Sequence, residues 1–355
     1  QVRCHSRLDL HPGGGAPAVG AAAAAHMGAG TPRTRTLAPE RVVRILHVSD
    51  THMLHGEIEA KFELPPADIF VHTGDFTDRG GPHEFAEVDA WLGELRSSGR
   101  YRAIVVIFGN HEWRSLAKES DFDATLLEGV RNPQYAKAKL PSAHSVLEHE
   151  RVELFGLRIF GSPWCPWHSG GNPNRVGRMP GLLAAHERWR AAGESREHRF
   201  NEIPEGLDLL LTHGAPQGVL DRLEGGWSHW GSSAELRRAV ERARPAAHLF
   251  GHIHEQRGHW LRQPSGMWEG GVEYERVPGE PWATFPPPPP AYPGQLIACT
   301  AMKNHPDLEG GAPARIAGPG RLILARGAPG RWRFSLAAPE ASRASAAVQS
   351  EPRRR

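Results

Sequence analysis

The sequence predicts an α/β fold, on three observations. Short runs rich in β-branched and other apolar residues recur through residue 254: VVRILHVS, DIFVHT, RAIVVIF, LDLLLT and AAHLF. Two segments between those runs carry their apolar residues at helical spacing instead. Beyond residue 254 the pattern turns strand-rich, with runs at LIACT, RLILAR and RWRFSL.

The elements follow in order. Residues 1–40 are rich in Gly and Ala, lack apolar periodicity and read as a disordered tail. Arg3, Arg7, Arg33 and Arg35 with few acids leave a transit peptide open as the other reading. The core is expected to start at Arg41. In PHEFAEVDAWLGELRSSG, Phe85, Val88, Trp91, Leu92 and Leu95 share one helical face, Pro82 suits a first turn and Gly99 a stop. RVELFGLRIFG reads as a hairpin about Phe155 and Gly156. SSAELRRAVERAR reads as a second helix, with Ser232 or Ser233 as cap and Glu235 in the first turn. Residues 262–294 break the pattern and hold a five-proline run that cannot enter a sheet interior. They read as a proline-rich surface insertion. Its stretch 285–293 is a spacer loop or, in polyproline II form, a docking segment for a proline-binding partner. The runs after it close one domain over 41–337, and 338–355 reads as a second disordered tail.

Composition excludes several classes. Hydrophobic residues make up 39% of the 355, and the 40 Gly and 31 Pro are unevenly placed, which marks flexible segments rather than a disordered whole. Net charge is +2 with no dense basic stripe, so polymeric nucleic acid is not an expected partner. No run of about 18 apolar residues predicts a membrane span. Cys4, Cys165 and Cys299 are far apart and form no C-x-x-C pair, which fits a reducing compartment, and the cytoplasm is the expected location.

Five blocks follow the apolar runs: Asp50-Thr51-His52, Gly74-Asp75, Gly109-Asn110-His111-Glu112, His213-Gly214 and Gly251-His252-Ile253-His254. Carboxylate, amide and imidazole groups at several strand ends are the donors a two-metal centre uses. Asp50 and His52, two apart on a segment read as extended, leave one face, as do His252 and His254. Taken singly, each block also fits a turn-capping Asp or a structural His. His47, His55, His72 and His168 lie outside the blocks and read as structural or surface residues.

The order and spelling of these blocks resemble the calcineurin-like metallophosphoesterase superfamily, over about Val42 to His254. The resemblance implies two mixed β-sheets packed as a sandwich flanked by helices. It implies a first metal held by Asp50, His52, Asp75 and His254, and a second by Asp75, Asn110, His213 and His252. Asp75 would bridge the two. His111 would stabilise the phosphoryl charge or protonate the leaving oxygen, Asp78 would orient a ligand or His111, and Glu112 would orient its neighbours. Oxygen and imidazole donors without thiolate suit Mn, Fe, Zn, Co or Ni, with Mn and Fe ranked first. Arg79, in GDFTDRG, matches a phosphate-contacting Arg of the protein-phosphatase branch, with a structural salt bridge as the other reading. GSPWCPWHSGG, IPEGLDLLLTHGAPQGVLD and FGHIHE further resemble the metallophosphoesterase-domain-containing protein branch. Trp164 and Trp167 would stack on a substrate ring there, or pin the loop by burial. Some mammalian members of that branch carry Gly at the position of His252, and this chain keeps His. The expected activity is hydrolysis of a small phosphoester. A hydroxide bridging two metals would attack a phosphodiester, cyclic or nucleotide-like. A phosphomonoesterase and a non-catalytic scaffold on the same fold are the alternatives.

Overall fold

A computed structural model describes residues 40–62, 64–113, 137–166, 175–176, 200–221, 232–273, 275–277, 280–281, 287–303, 316 and 318–337. Residues 1–39 and 338–355, read above as tails, lie outside the described residues.

The chain order is β1 (Arg41–Val48), α1 (His55–Lys61), β2 (Ala67–His72), α2 (Pro82–Ser97), β3 (Tyr101–Val106), β4 (Ser145–Val146), β5 (Glu150–Leu154) and β6 (Leu157–Ser162). It continues with β7 (Leu209–Thr212), α3 (Ala234–Ala243), β8 (Ala247–Phe250), β9 (Gly258–Arg262), β10 (Trp268–Val272), β11 (Leu296–Cys299), β12 (Arg321–Gly327) and β13 (Arg333–Leu336). Two mixed sheets result. The first runs β13-β12-β1-β2-β3-β4 and the second β10-β9-β11-β8-β7-β6-β5. Strands β1 to β4 are mutually parallel, with β4 at one edge, as are β6, β7, β8 and β11, while β12, β13, β5, β9 and β10 pair antiparallel.

The period-2 geometry of a strand explains the layers. Ile45, Ile69, Val71 and Val105 of the first sheet share a buried cluster with Ile159, Leu209, Leu211, Leu249 and Leu296 of the second. Their neighbours point the other way. Leu46, Phe70, Ile104 and Val106 pack with Phe85, Val88, Trp91, Leu92 and Leu95 of α2. Leu210, Phe250 and Ile297 pack with Leu236, Ala239, Val240 and Ala243 of α3. Each central strand is thus buried on both faces, so its sequence is a continuous apolar run rather than an alternation. This is the sandwich flanked by helices.

Local signals set the helix limits. Pro82 opens α2, where its missing N–H costs nothing, and Gly99 lies just past its end at φ +68°. Ser233 caps α3 by accepting from the Leu236 N–H at 3.0 Å. The expected insertion over 262–294 needs correction. Trp268–Val272 forms β10, paired antiparallel with β9 at the edge of the second sheet. The end of the proline run also packs on the sheet: Pro288 and Tyr292 are buried, and the Arg262 guanidinium donates to the carbonyls of Pro290 and Tyr292. Among the described residues no helix is long and apolar enough to cross a membrane.

Candidate metal centre

The five blocks occupy the turns that leave the carboxyl ends of β1, β2, β3, β7 and β8. Crevices at such ends are where open parallel sheets bind ligands. Backbone hydrogen bonds tie the turns together: Asp50 N–H to Gly74 carbonyl at 2.9 Å, His52 N–H to Asp75 carbonyl at 3.0 Å, and Gly251 N–H to His213 carbonyl at 3.1 Å.

The turns are not extended, and this corrects the alternation expected for Asp50 with His52 and for His252 with His254. Asp50, His52, Asp75 and His252 have left-handed φ of 54°, 42°, 54° and 71°. His254 begins a short 3₁₀ turn, His254–Gln256. A non-glycine residue held there costs roughly 1–3 kcal/mol, and such strain clusters at functional sites. Glycine precedes three of the blocks' donors for a steric reason. A Cβ at Gly74 would lie 2.7 Å from His213 Nδ1, one at Gly109 would lie 2.3 Å from Asp75 Oδ1, and one at Gly251 would lie 2.0 Å from Asp50 Oδ2.

These constraints bring the donors together in three overlapping groups whose ligating atoms lie within 4.8 Å of one another: Asp50, His52 and His254; His52, Asp75 and His111; and Asp75, His213 and His252. Asn110 joins the third, its Oδ1 being 3.1 Å from His213 Nε2. All seven expected ligands therefore converge. Asp75 stands in the middle, with Oδ2 at 3.2 Å from His213 Nε2 and 3.9 Å from both His52 Nε2 and His111 Nε2. The His111 ring is also within ligating reach, a placement the blocks alone did not suggest.

The hydrogen bonds test whether this site suits a cation. His213 Nδ1 donates to the Thr73 carbonyl at 2.7 Å. In the neutral ring, Nε2 then carries only a lone pair and faces the oxygens of Asp75 and Asn110. Only a proton or a metal ion between them makes that arrangement attractive. As a proton site, His213 has its pKa raised to about 9: burial alone would lower it, but Asp75 and then Asp50 outweigh burial. His52 Nε2 likewise faces His254 Nε2 at 3.2 Å, and His254 Nε2 lies 3.3 Å from Asp50 Oδ1. Burial works to raise the carboxyls of Asp50 and Asp75. The facing imidazoles, chiefly His254 and His213 respectively, reverse this and hold both below the usual carboxylate range. The donors fit one or more hard or borderline cations.

A second layer fixes the donors. Asp78 Oδ1 lies 3.2 Å from His52 Nδ1 and 3.1 Å from Lys303 Nζ, while its carbonyl accepts from His111 Nδ1 at 2.8 Å. One residue thus orients both rings, which meet edge to face at 4.4 Å. Buried Glu112 accepts from the N–H groups of Asp75, Thr77 and Gly109, strapping the β2 and β3 turns together. Burial, then the charge of Asp75, pushes its carboxyl up to about 7.

Other expected residues are placed differently. Arg79 is exposed, and its backbone N–H donates to the Glu84 carboxylate at 2.8 Å. Trp164 is buried, stacked on His149 at 3.9 Å and edge-on to Phe200, so it follows the burial alternative rather than the substrate-stacking one. Trp167 and His168 lie outside the described residues. Lys303, absent from the sequence reading, reaches the site because its strand end pairs beside Ser49 and its N–H donates to the Asp50 carbonyl.

Comparison with known proteins agrees with this geometry. Metallophosphoesterase domain-containing protein 1 of Homo sapiens is 35% identical over 231 residues, covering 62% of this chain and 63% of that protein, and its Mus musculus counterpart matches equally. A Caenorhabditis elegans UPF0046 protein is 34% identical over 219 residues, covering 58% of this chain and 50% of that one. The match thus spans less than two thirds of each relative. A family model described as calcineurin-like phosphoesterase matches residues 43–256, which takes in every ligand candidate. On that match, this chain belongs to the calcineurin-like phosphoesterase family.

Proposed function

We propose that this chain is a metal-dependent hydrolase of phosphoric esters, acting on small or cyclic nucleotide-like phosphodiesters at a two-ion centre. The observation that carries the reading is Asp75. Its buried carboxylate stands between two ligand groups that share no other residue, Asp50-His52-His254 on one side and His213-His252-Asn110 on the other. A shared carboxylate offsets repulsion between two dications. In this reading Asp50, His52, Asp75 and His254 hold the first ion and Asp75, Asn110, His213 and His252 the second. Mn and Fe rank first, and Zn, Co and Ni also match the donors. When bound, such a pair supplies an activated water and a clamp on the phosphoryl group.

The chain's own residues supply the rest. Glu112 and Asp78 fix the turns and rings before substrate arrives, the preorganisation catalysis needs. His111 is held through Nδ1 on the Asp78 carbonyl, which aims Nε2 towards Asp75. Protonated at Nε2, it is placed to give a proton to the leaving oxygen.

The test is turnover by metal-reconstituted protein of a bis-aryl and a mono-aryl phosphate. Faster, chelator-sensitive cleavage of the diester is expected. Preference for the monoester would favour the phosphomonoesterase reading, and metal binding without either activity would favour the scaffold.

A further inference from the structure

We propose that His72 is a positioning residue of this centre, a buried strut that holds the Asp50 and Asp75 turns against each other. The proposal deepens the metal reading of those two carboxylates and rests on it. His72 ends β2 and is buried, with Phe76 and Trp91 edge-on to its ring. The Gly74 N–H donates to its Nδ1 at 3.2 Å. A backbone N–H can only donate, so Nδ1 bears the lone pair and Nε2 the hydrogen. Nε2 therefore donates to Thr51 Oγ1, at 3.1 Å.

Both partners adjoin ligands. Thr51 sits between Asp50 and His52, and Gly74 precedes Asp75. The backbone at Asp50, His52, Gly74 and Asp75 is left-handed throughout, with φ of 54°, 42°, 98° and 54°. Turns in that region need outside restraint. One neutral imidazole accepts from the Gly74 N–H of the Asp75 turn and donates to the Thr51 hydroxyl of the Asp50 turn, which no apolar side chain can do. The same pairing recurs beneath the site. His47 meets the Thr73 hydroxyl at 2.9 Å, and His248 meets that of Thr212 at 2.8 Å. Thr73 presents its carbonyl to His213, and Thr212 immediately precedes His213.

The experiment is cobalt(II) titration of the full chain, read by visible absorption, on the parent, on Thr51→Val, Thr51→Ser, His72→Phe and the double variant Thr51→Val/His72→Phe, and on His252→Gly, which marks the first-ion step. Thr51→Val keeps the shape and removes the hydroxyl. It should weaken by about 10–100-fold the binding step that His252→Gly leaves intact, the usual cost of losing such a partner. His72→Phe should weaken both steps, because Asp75 serves both. Thr51→Ser should bind as the parent does. The double variant Thr51→Val/His72→Phe should be no worse at the first-ion step than the worse single variant, since both changes remove the same His72–Thr51 bond. Parent-like titrations of folded Thr51→Val and His72→Phe, or additive losses, would overturn the proposal. If His72→Phe does not fold, the Thr51 pair decides alone. A parent that binds no cobalt would instead sink the metal reading, and this proposal with it.

Discussion

Gly251→Ala isolates the steric logic of the centre. Gly251 stands between β8 and His252, and a Cβ there would meet Asp50 Oδ2 and Ser49 Oγ at 2.0 Å each. A carbon seldom approaches an oxygen closer than roughly 3.3 Å. The Asp50 carboxylate must then retreat by on the order of 1 Å, leaving the His252 N–H that now lies 3.0 Å from both its oxygens. Metal–ligand distances tolerate only about 0.2 Å. The first ion position should therefore weaken by at least about tenfold, while overpacking costs the fold about 1–3 kcal/mol. Gly56→Ala is the control, since a Cβ there meets nothing within 4 Å and lies inside α1. Metal titration and thermal melting should show a folded Gly251→Ala protein lacking one binding step, and a Gly56→Ala protein like the parent. Parent-like affinity at both steps in Gly251→Ala would refute the reasoning.

Three further outcomes are expected. His111→Ala should keep both ions and lose about 10²–10⁴-fold in turnover of an ester with a poor leaving group, and much less with nitrophenolate, which hardly needs a proton. Metal content and an aryl-ester series check this, and equal losses across the series would assign His111 to the phosphoryl charge. His252→Gly should weaken mainly the second ion without unfolding the chain, and unchanged metal content by elemental analysis would remove His252 from the ligand set. Burial holds His248 down to about 3, well below the 6.5 of an exposed imidazole. Between those values the folded chain binds fewer protons than the unfolded one, so its contribution is whole above about pH 6.5 and declines as pH falls. By pH 5 the loss relative to high pH is about 2 kcal/mol. Denaturant midpoints in excess chelator should fall more steeply for the parent than for His248→Gln, and equal slopes would contradict the buried-neutral assignment.

The strands were legible because each core strand is a compact apolar run, and α2 and α3 because of their apolar faces with Pro82 and Ser233 at their starts, whereas the seven-residue α1 was not read. The number of sheets was not. A run buried on both faces looks the same in one sheet or two, and the sandwich was expected only through family resemblance. The seven ligand candidates could be read from their blocks, but their route to one point could not. The left-handed turns at Asp50, His52, Asp75 and His252 come from tertiary hydrogen bonds between separate strand ends. The same limit hid Lys303, which has no motif and arrives through strand register. It also hid the strut of His72, which looks like any strand histidine until Thr51 and Gly74 are seen on either side. β10 was missed because Gly270 and Gly271 interrupt WEGGV between its strand formers Trp268 and Val272, and pairing with β9 supplies what the glycines lack.

The central claim is that one carboxylate, Asp75, organises two ions. The most direct measurement is the metal-to-protein ratio of the reconstituted parent beside that of Asp75→Ala. The account predicts about two ions per parent chain, from the two ligand groups that meet at Asp75, and close to none in the variant. A parent with only trace metal, or a variant that keeps both ions, would contradict it.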